Sequence, residues 1–288
     1  MDSAPVSVPV PVPVPVVSVE PLVLAVPGRG EELRVRVSAP VTGRGLPVVV
    51  FAHGFGASLE GYGPLADYWA ARGFAVVQPT HLDAKSVGLA ADDPRRPGLW
   101  RYRVEDVRRV LDQLDVLVGR VPGLAGRVDQ ERIAVAGHSF GGQTAGVLLA
   151  TAGRGGDALT PFATENLPWL RGPEFAHLKA PALVVAGDRD ASPLTVRGPE
   201  WMADPYVLSP GEKSLLTLFG AEHFLGGISG YEVAETTDEN PARVALVQEV
   251  TLAYLRHVLG VGSEGWERVR RALGEEPHPL GRLVSKAG

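Results

Sequence analysis

The sequence predicts an α/β fold with a mostly parallel, twisted sheet flanked by helices. Short apolar runs alternate along the chain with segments of helical periodicity, which is typical of consecutive βαβ units. Two of the runs, residues 48–51 and 183–185, are apolar at every position, as strands covered on both faces by helices are. We therefore expect a sheet that is buried between layers of helices.

Seven runs are predicted to form strands, and four further segments to form helices, one of which begins at Gly141. The strands are expected at residues 22–26, 33–37, 48–52, 74–78, 133–136, 183–186 and 215–219. The other three helices are expected at residues 59–72, 104–118 and 247–258. The turn sequence Pro-Gly-Arg-Gly joins the first two strands, so we expect them to form an antiparallel hairpin at the sheet edge.

Composition excludes several classes of function. The chain has 288 residues, of which 45% are apolar, and this is enough for one large core. Its net charge is -5 and lysine is rare, so we expect neither nucleic acid nor an anionic membrane surface as a partner. Cysteine is absent, which excludes disulfides, thiolate catalysis and cysteine-bound metals.

The N-terminal segment is predicted to lie outside the folded domain. Prolines alternate with valines at positions 9–15, and proline cannot donate to a sheet ladder. Residues 1–17 therefore predict a disordered or extended leader, with an edge segment on the domain as the alternative, and residues 18–288 predict a single domain. The segment lacks the basic stretch of a signal peptide, and no apolar run reaches the roughly 20 residues of a membrane span. We expect a soluble, cytoplasmic protein.

The first candidate for chemistry is the pentapeptide Gly-His-Ser-Phe-Gly at residues 137–141. It follows a short apolar run and precedes a predicted helix, so Ser139 would lie on a strand-to-helix turn. The glycines two positions before and after the serine remove the Cβ atoms that would clash in so sharp a turn. The helix N-terminus favours negative charge beside it. These features predict that Ser139 is a catalytic nucleophile.

A serine nucleophile needs a base, and the position of His223 fits that role. It directly follows the strand predicted at residues 215–219, at the carboxyl end where active sites of α/β proteins lie. The orienting carboxylate is expected in Gly-Asp-Arg-Asp, which follows the preceding strand. Either aspartate could serve. Asp190 reaches further into the loop, whereas Asp188 is expected to cap the turn or to pair with the arginine between them.

Hydrogen-bond donors are also needed for the oxyanion of a tetrahedral intermediate. The backbone N–H of Phe55, in the glycine-rich turn after the third predicted strand, is one candidate. The N–H of Phe140, directly after the nucleophile, is the other. His53, at the end of the third strand, is expected to hydrogen-bond the loop backbone. His81 and Asp83 follow another central strand and could either reach the site or cap their own loop.

Four motifs, HGFG, GHSFGG, GDRD and AEHF, occur in this order and resemble those of the α/β-hydrolase superfamily over roughly residues 20–260. More narrowly, the chain is similar to bacterial serine esterases of the dienelactone-hydrolase, chlorophyllase-like and cutinase-like group. The resemblance implies an α/β-hydrolase fold with Ser139 as nucleophile, His223 as base and Asp190 as acid. It also implies an oxyanion hole formed by Phe55 and Phe140. Dienelactone hydrolases proper use a cysteine nucleophile, which this chain lacks.

The stretch after the nucleophile departs from that pattern. Members of the superfamily normally place another sheet strand between the elbow helix and the strand that precedes the acid. Residues 153–178 contain glycine-rich and proline-rich segments and no clear strand. The sequence therefore predicts either a sheet one strand short after the elbow or an unusual sharing of the apolar stretch at residues 145–150, which the elbow helix should use. It predicts no large lid at this position.

The resulting functional prediction is a carboxylic ester hydrolase that works through an acyl-enzyme. Its substrate would be a small-molecule or lipid-like ester, and no cofactor or metal is expected, since no metal-ligand motif occurs. Two alternatives stay open. One is a non-hydrolytic binding or scaffold protein on the same fold, and the other is an acyltransferase or lactone-forming enzyme with the same triad.

Overall fold

The structure of the protein is a computed structural model that describes residues 11–151, 162–163, 171–172, 175–191, 197–233, 237–275 and 278–287. The chain divides into two compact units. The larger unit comprises residues 12–173 and 230–233, and the smaller one comprises residues 1–11, 174–229 and 234–288. The prediction of a single domain for residues 18–288 stays a prediction.

The larger unit contains a five-stranded sheet whose strand order is β1-β2-β4-β3-β5. The strands are β1 (Val16–Leu24), β2 (Leu33–Pro40), β3 (Leu46–Ala52), β4 (Ala75–Pro79) and β5 (Val128–Gly137). The central strand β3 pairs in parallel with β4 and with β5. The first two strands form the antiparallel edge hairpin that their turn sequence predicts. The side chains of Val48, Val49 and Val50 are 0% exposed. Since neighbouring side chains point to opposite faces of a strand, both faces of β3 are covered.

The described residues of the larger unit form four α-helices besides this sheet. They are α1 (Gly63–Ala70), α2 (Leu99–Asp112), α3 (Leu114–Gly119) and α4 (Phe140–Thr151). The single helix predicted over residues 104–118 is wrong, since the non-helical backbone of Gln113 (φ -114°, ψ 22°) separates α2 from α3. The apolar spacing does not show this break, because Leu114 and Leu117 on α3 remain buried.

The first strand begins inside the predicted leader. Strand β1 starts at Val16, and the Val41 N–H donates to the Pro15 carbonyl at 2.9 Å. Further back, the Val14 N–H donates to the Ala71 carbonyl at 2.9 Å. The described end of the Pro/Val segment is therefore bound along the unit, and residues 1–10 lie outside the described residues.

The smaller unit contains a three-stranded sheet in the order β10-β9-β8. Its strands are β8 (Ala182–Gly187), β9 (Lys213–Leu218) and β10 (Gly281–Lys286), and its helices are α5 (Asp204–Leu208), α6 (Pro241–Val258) and α7 (Glu264–Gly274). Strands β8 and β9 are parallel, so their carboxyl ends meet at one edge. Helix α6 begins six residues before its predicted start, because the Asn240 side chain accepts a hydrogen bond from the Arg243 N–H and caps it.

The α/β class is confirmed, whereas the predicted mostly parallel sheet is not. The described strands form two mixed sheets, because an antiparallel hairpin precedes the parallel strands and the antiparallel β10 follows them. The predicted strand gap after the elbow falls on a stretch of which the described parts are the short pair β6 (Phe162–Ala163) and β7 (Arg171–Gly172) and residues 175–178. That prediction therefore lies outside the described residues. None of the helices in the described ranges is long and apolar enough to cross a membrane.

Candidate active site

Ser139 lies on a sharp turn between β5, which ends at Gly137, and α4, which begins at Phe140. Its φ is 55°, in the left-handed region that costs a residue with a Cβ about 1–2 kcal/mol. A Cβ on Gly141 would lie 1.9 Å from the Ala52 carbonyl oxygen at the end of β3. A Cβ on Gly137 would lie 2.4 Å from the Gly141 backbone. Both glycines therefore allow the turn to pack directly on the neighbouring strand.

Replacing Gly141 with alanine should destabilise the protein by about 3 kcal/mol or more, because the new methyl group would have to displace backbone. Gly142, the next residue in α4, provides the matched control, since a Cβ there would first meet the Gly137 oxygen at 3.3 Å. The Gly142→Ala variant should change stability by less than about 1 kcal/mol, since alanine also favours the helix. Urea unfolding of both variants measures the difference. Equal losses of unfolding free energy in the two variants would show that the space beside Gly141 is no tighter than the space beside Gly142.

Asp190 and His223 lie together in the smaller unit. Nδ1 of His223 is 2.9 Å from Oδ1 and 3.2 Å from Oδ2 of Asp190. The aspartate follows β8 and the histidine follows β9, and these parallel neighbours bring the two loops side by side. The loops approach so closely that a Cβ on Gly187 would lie 2.2 Å from the Ala221 carbonyl oxygen.

The burial of this pair suits an acid–base couple. The Asp190 side chain is 6% exposed and the His223 side chain is 36% exposed. A carboxylate that accepts the Nδ1 proton fixes the imidazole tautomer and leaves Nε2 as the basic nitrogen.

Asp188 has a different task in the same loop. Its Oδ1 accepts a hydrogen bond of 2.6 Å from the Gly220 N–H, so it caps the backbone of the loop after β9. Of the two aspartates that the sequence left open, Asp190 is the one that contacts His223.

The two residues predicted to supply oxyanion donors are neighbours in the larger unit. Phe55 follows β3, and Phe140 opens α4 at the end of the adjacent strand β5. Their ring centroids are 6.3 Å apart. The Phe140 side chain is buried, whereas Phe55 is half exposed. The structure brings them together, and their role as donors stays a prediction.

His53 hydrogen-bonds the loop backbone, as its position at the strand end predicts. Its Nδ1 is 2.6 Å from the Gly54 carbonyl oxygen, and its Nε2 accepts a hydrogen bond of 2.9 Å from the His81 N–H. Burial, reinforced by the positive charge of Arg103, lowers the pKa of His53 well below its usual value. The ring therefore stays neutral and donates through Nδ1.

His81 and Asp83 both have buried structural partners. Nδ1 of His81 lies 2.9 Å from the Asp106 carboxylate. Asp83 forms a two-point ion pair with Arg103, in which the donor–acceptor distances are 2.7 and 2.6 Å. Burial opposes ionisation of Asp83, but the Arg103 guanidinium outweighs it and the pKa of this carboxyl is lowered. Of the two sequence-based alternatives, these contacts favour a role in holding the loops.

Tyr62 is a residue of this region that sequence reasoning missed. Its hydroxyl accepts a hydrogen bond of 3.0 Å from the Gly54 N–H and lies 2.9 Å from Nδ1 of His138, the residue before Ser139. Burial raises the pKa of Tyr62 to about 12, so the neutral phenol can accept one hydrogen bond and donate the other. It thereby links the loop after β3 to the turn that carries Ser139. A tyrosine between two glycines gives no sequence signal for this role.

A family model described as PET hydrolase-like matches residues 37–237. This range contains the Ser139 turn, the loops of Asp190 and His223 and the Phe55 loop. The chain belongs to the PET hydrolase-like family. Membership confirms the resemblance to the cutinase-like group of the α/β-hydrolase superfamily that the four motifs indicated.

One curated relative of this PET hydrolase-like chain is the bis(hydroxyethyl) terephthalate hydrolase of Streptomyces coelicolor. The two sequences are 30% identical over 191 residues, which cover 65% of this chain and 53% of the relative. The chain thus spans about half the length of the curated relative it matches.

Proposed function

We propose that this PET hydrolase-like protein hydrolyses carboxylic esters with Ser139 as nucleophile, His223 as general base and Asp190 as the carboxylate that orients the base. One observation carries the proposal, namely a buried carboxylate already bonded to Nδ1 of a half-exposed histidine in a family of ester hydrolases. The strained turn of Ser139 supports it, since such a turn presents the hydroxyl at the end of the sheet.

The proposed reaction has two steps. In the first, Oγ of Ser139 attacks the ester carbonyl carbon while Nε2 of His223 accepts the hydroxyl proton. The carbonyl oxygen becomes an oxyanion that accepts hydrogen bonds from the N–H groups of Phe55 and Phe140. The intermediate then collapses, the bond to the alcohol breaks, and the leaving alkoxide takes the proton from the imidazolium.

In the second step, water repeats this sequence on the acyl-enzyme. His223 accepts a proton from the attacking water, and Ser139 leaves as the new carboxylic acid forms. Asp190 stabilises the imidazolium in both steps by accepting the Nδ1 proton in a hydrogen bond. An acyltransferase would replace the water by a second alcohol, and a binding protein would perform neither step.

For the substrate class we propose esters of aromatic acids. The relative named above carries an aromatic diester in its name, and Phe55 offers a half-exposed ring next to the predicted oxyanion donor Phe140. Aromatic rings pack well on one another in offset or tilted arrangements. Faster hydrolysis of bis(hydroxyethyl) terephthalate than of an aliphatic diester of similar size would support this class, and the reverse order would contradict it.

Covalent labelling with a fluorophosphonate tests the proposed chemistry. The probe should react with one serine, and mass spectrometry of a digest should locate it on the peptide that contains Ser139. The labelled protein should lose its hydrolysis of p-nitrophenyl butyrate in proportion to the labelled fraction. Labelling at another serine, or a folded protein without ester turnover, would overturn the proposal.

The cytoplasmic location stays a prediction from the sequence.

A further inference from the structure

Arg103 is a buried cation beneath the loop that carries Phe55. It lies on α2, and its side chain is 0% exposed. Besides the ion pair with Asp83, its Nη1 donates to the His53 carbonyl at 2.7 Å, and its Nη2 donates to the Gly54 carbonyl at 3.2 Å. The guanidinium thus binds two successive carbonyl groups of the loop after β3.

The Gly54 carbonyl and the Phe55 N–H belong to the same peptide group. Because a trans peptide is planar, its C=O and N–H bonds point in opposite directions. The Gly54 oxygen is held by Arg103 and also lies 2.6 Å from Nδ1 of His53. Fixing this oxygen therefore fixes the direction of the Phe55 N–H. A cationic donor on the oxygen also polarises the peptide, which makes its N–H a stronger donor.

Asp83 holds the other side of the same loop. Its Oδ2 accepts a hydrogen bond of 3.2 Å from the Gly56 N–H while the carboxylate remains paired with Arg103. The peptide groups on both sides of Phe55 are thus bound by one ion pair. The Arg103 guanidinium also lies over the ring of Phe140, with Cζ 4.2 Å from the ring centroid.

We propose that Arg103 and Asp83 are positioning residues of the oxyanion hole, which orient and polarise the Phe55 N–H through the Gly54 peptide. The inference rests on the proposed function, since it requires Phe55 to donate to a developing oxyanion. It assigns a catalytic consequence to an ion pair whose side chains are 0% and 1% exposed. Its effect belongs to the transition state, where the oxyanion exists, and not to substrate binding.

A second buried ion pair of the same unit provides the matched control. Arg29 and Asp106 are both 1% exposed and are bonded at 2.7 Å. The Arg29 guanidinium donates to the carbonyl groups of Glu31, Glu32 and Thr80, and none of these belongs to the Phe55 loop. The control pair therefore shares the burial and the chemistry of Arg103 and Asp83, but its link to Gly54 is indirect. It runs from Asp106 through His81 and His53, and asparagine at position 106 keeps an oxygen that can accept the His81 hydrogen bond.

The test compares two double variants that neutralise each pair without leaving a buried charge unpaired. Arg103→Met with Asp83→Asn should lower kcat on p-nitrophenyl butyrate by about 10- to 100-fold, short of the loss expected when an oxyanion donor is removed outright. The value of KM should change less than about threefold, because ground-state binding is untouched. Arg29→Met with Asp106→Asn should keep kcat within about threefold of wild type. Thermal unfolding of each variant establishes that it is folded.

A trifluoromethyl ketone gives a second readout, since its adduct with the nucleophile carries an oxyanion. Its inhibition constant should rise in the Arg103 and Asp83 variant by the same factor as kcat/KM falls. Arg103→Lys keeps the charge opposite Asp83 but loses the planar fork, and its kcat should lie between those of wild type and the double variant. If the double variant does not fold, Arg103→Lys against Arg29→Lys makes the same comparison.

The inference is overturned if the folded Arg103 and Asp83 variant keeps kcat within about threefold of wild type. It is also overturned if the Arg29 and Asp106 variant loses as much, or if the loss resides in KM. A failure of the proposed function would appear instead in the wild-type protein, as missing ester turnover or as labelling away from Ser139, and would overturn this inference with it.

Discussion

Replacing Ser139 with alanine should lower kcat on p-nitrophenyl esters by about 10⁴- to 10⁶-fold. In the proposed mechanism the substitution removes the oxygen that attacks the ester, and only orientation of the substrate and stabilisation of the oxyanion remain for direct attack by water. Alanine is smaller than serine, so the turn should keep its shape. Steady-state kinetics and circular dichroism of the purified variant measure the two effects.

A glycine variant at the same position separates the chemistry from the strain of the turn. Ser139→Gly should be as inactive as the alanine variant. It should also be at least as stable, because glycine relieves a left-handed strain of about 1–2 kcal/mol and costs about 0.5–1 kcal/mol in backbone entropy. If either variant kept more than about a hundredth of the wild-type kcat, another residue would have to be the nucleophile.

Neutralising Asp190 should give the second largest loss. The Asp190→Asn variant should lose about 10⁴-fold in kcat, because an amide does not fix the Nδ1–H tautomer of His223 or stabilise its charged form. The geometry of the loop should persist, since asparagine has the same shape as aspartate. The kcat of the variant on p-nitrophenyl butyrate, at a pH at which the wild-type rate no longer depends on pH, measures this loss.

Asp188, two positions earlier in the same loop, is the control for that substitution. Its Oδ1 caps the Gly220 N–H, and the side-chain oxygen of asparagine can accept the same hydrogen bond. The Asp188→Asn variant should therefore keep kcat within about threefold of wild type. A larger loss in Asp188→Asn than in Asp190→Asn would reverse the assignment of the two carboxylates.

The parts of this structure that the sequence predicts are those that depend on local pattern. Continuous apolar runs located β3 and β8. The expected burial on both faces holds for β3, whereas Leu183, Val184 and Val185 of β8 are partly exposed. The Gly-x-Ser-x-Gly pattern located Ser139 because only glycine fits beside the turn, where a Cβ on Gly141 would meet the Ala52 oxygen at 1.9 Å. The pairing of parallel strands then brought Asp190 to His223, as their positions after β8 and β9 imply.

The parts that the sequence does not predict depend on partners that are distant along the chain. Arg103 is an arginine in an amphipathic helix, which ordinarily indicates a solvated side chain, and only its contact with Asp83 makes it a buried cation. Its spacing of four residues from Leu99 and from Val107 is the signal that could have placed it on the inner face. Strand β10 was missed because it follows a proline-rich segment and pairs with a strand more than sixty positions earlier.

Strand β10 also bears on the solubility of the smaller unit. Without it, the backbone of β9 would present a row of unpaired N–H and C=O groups along one side, which is a template for pairing with another chain. The strand covers that row over its whole length, from Gly281 to Lys286. Strand β10 is itself an edge strand of the sheet, and it carries the exposed Arg282 and the partly exposed Lys286. Two like charges on an edge strand repel a second copy of the same strand. They therefore disfavour aggregation through this edge of the sheet.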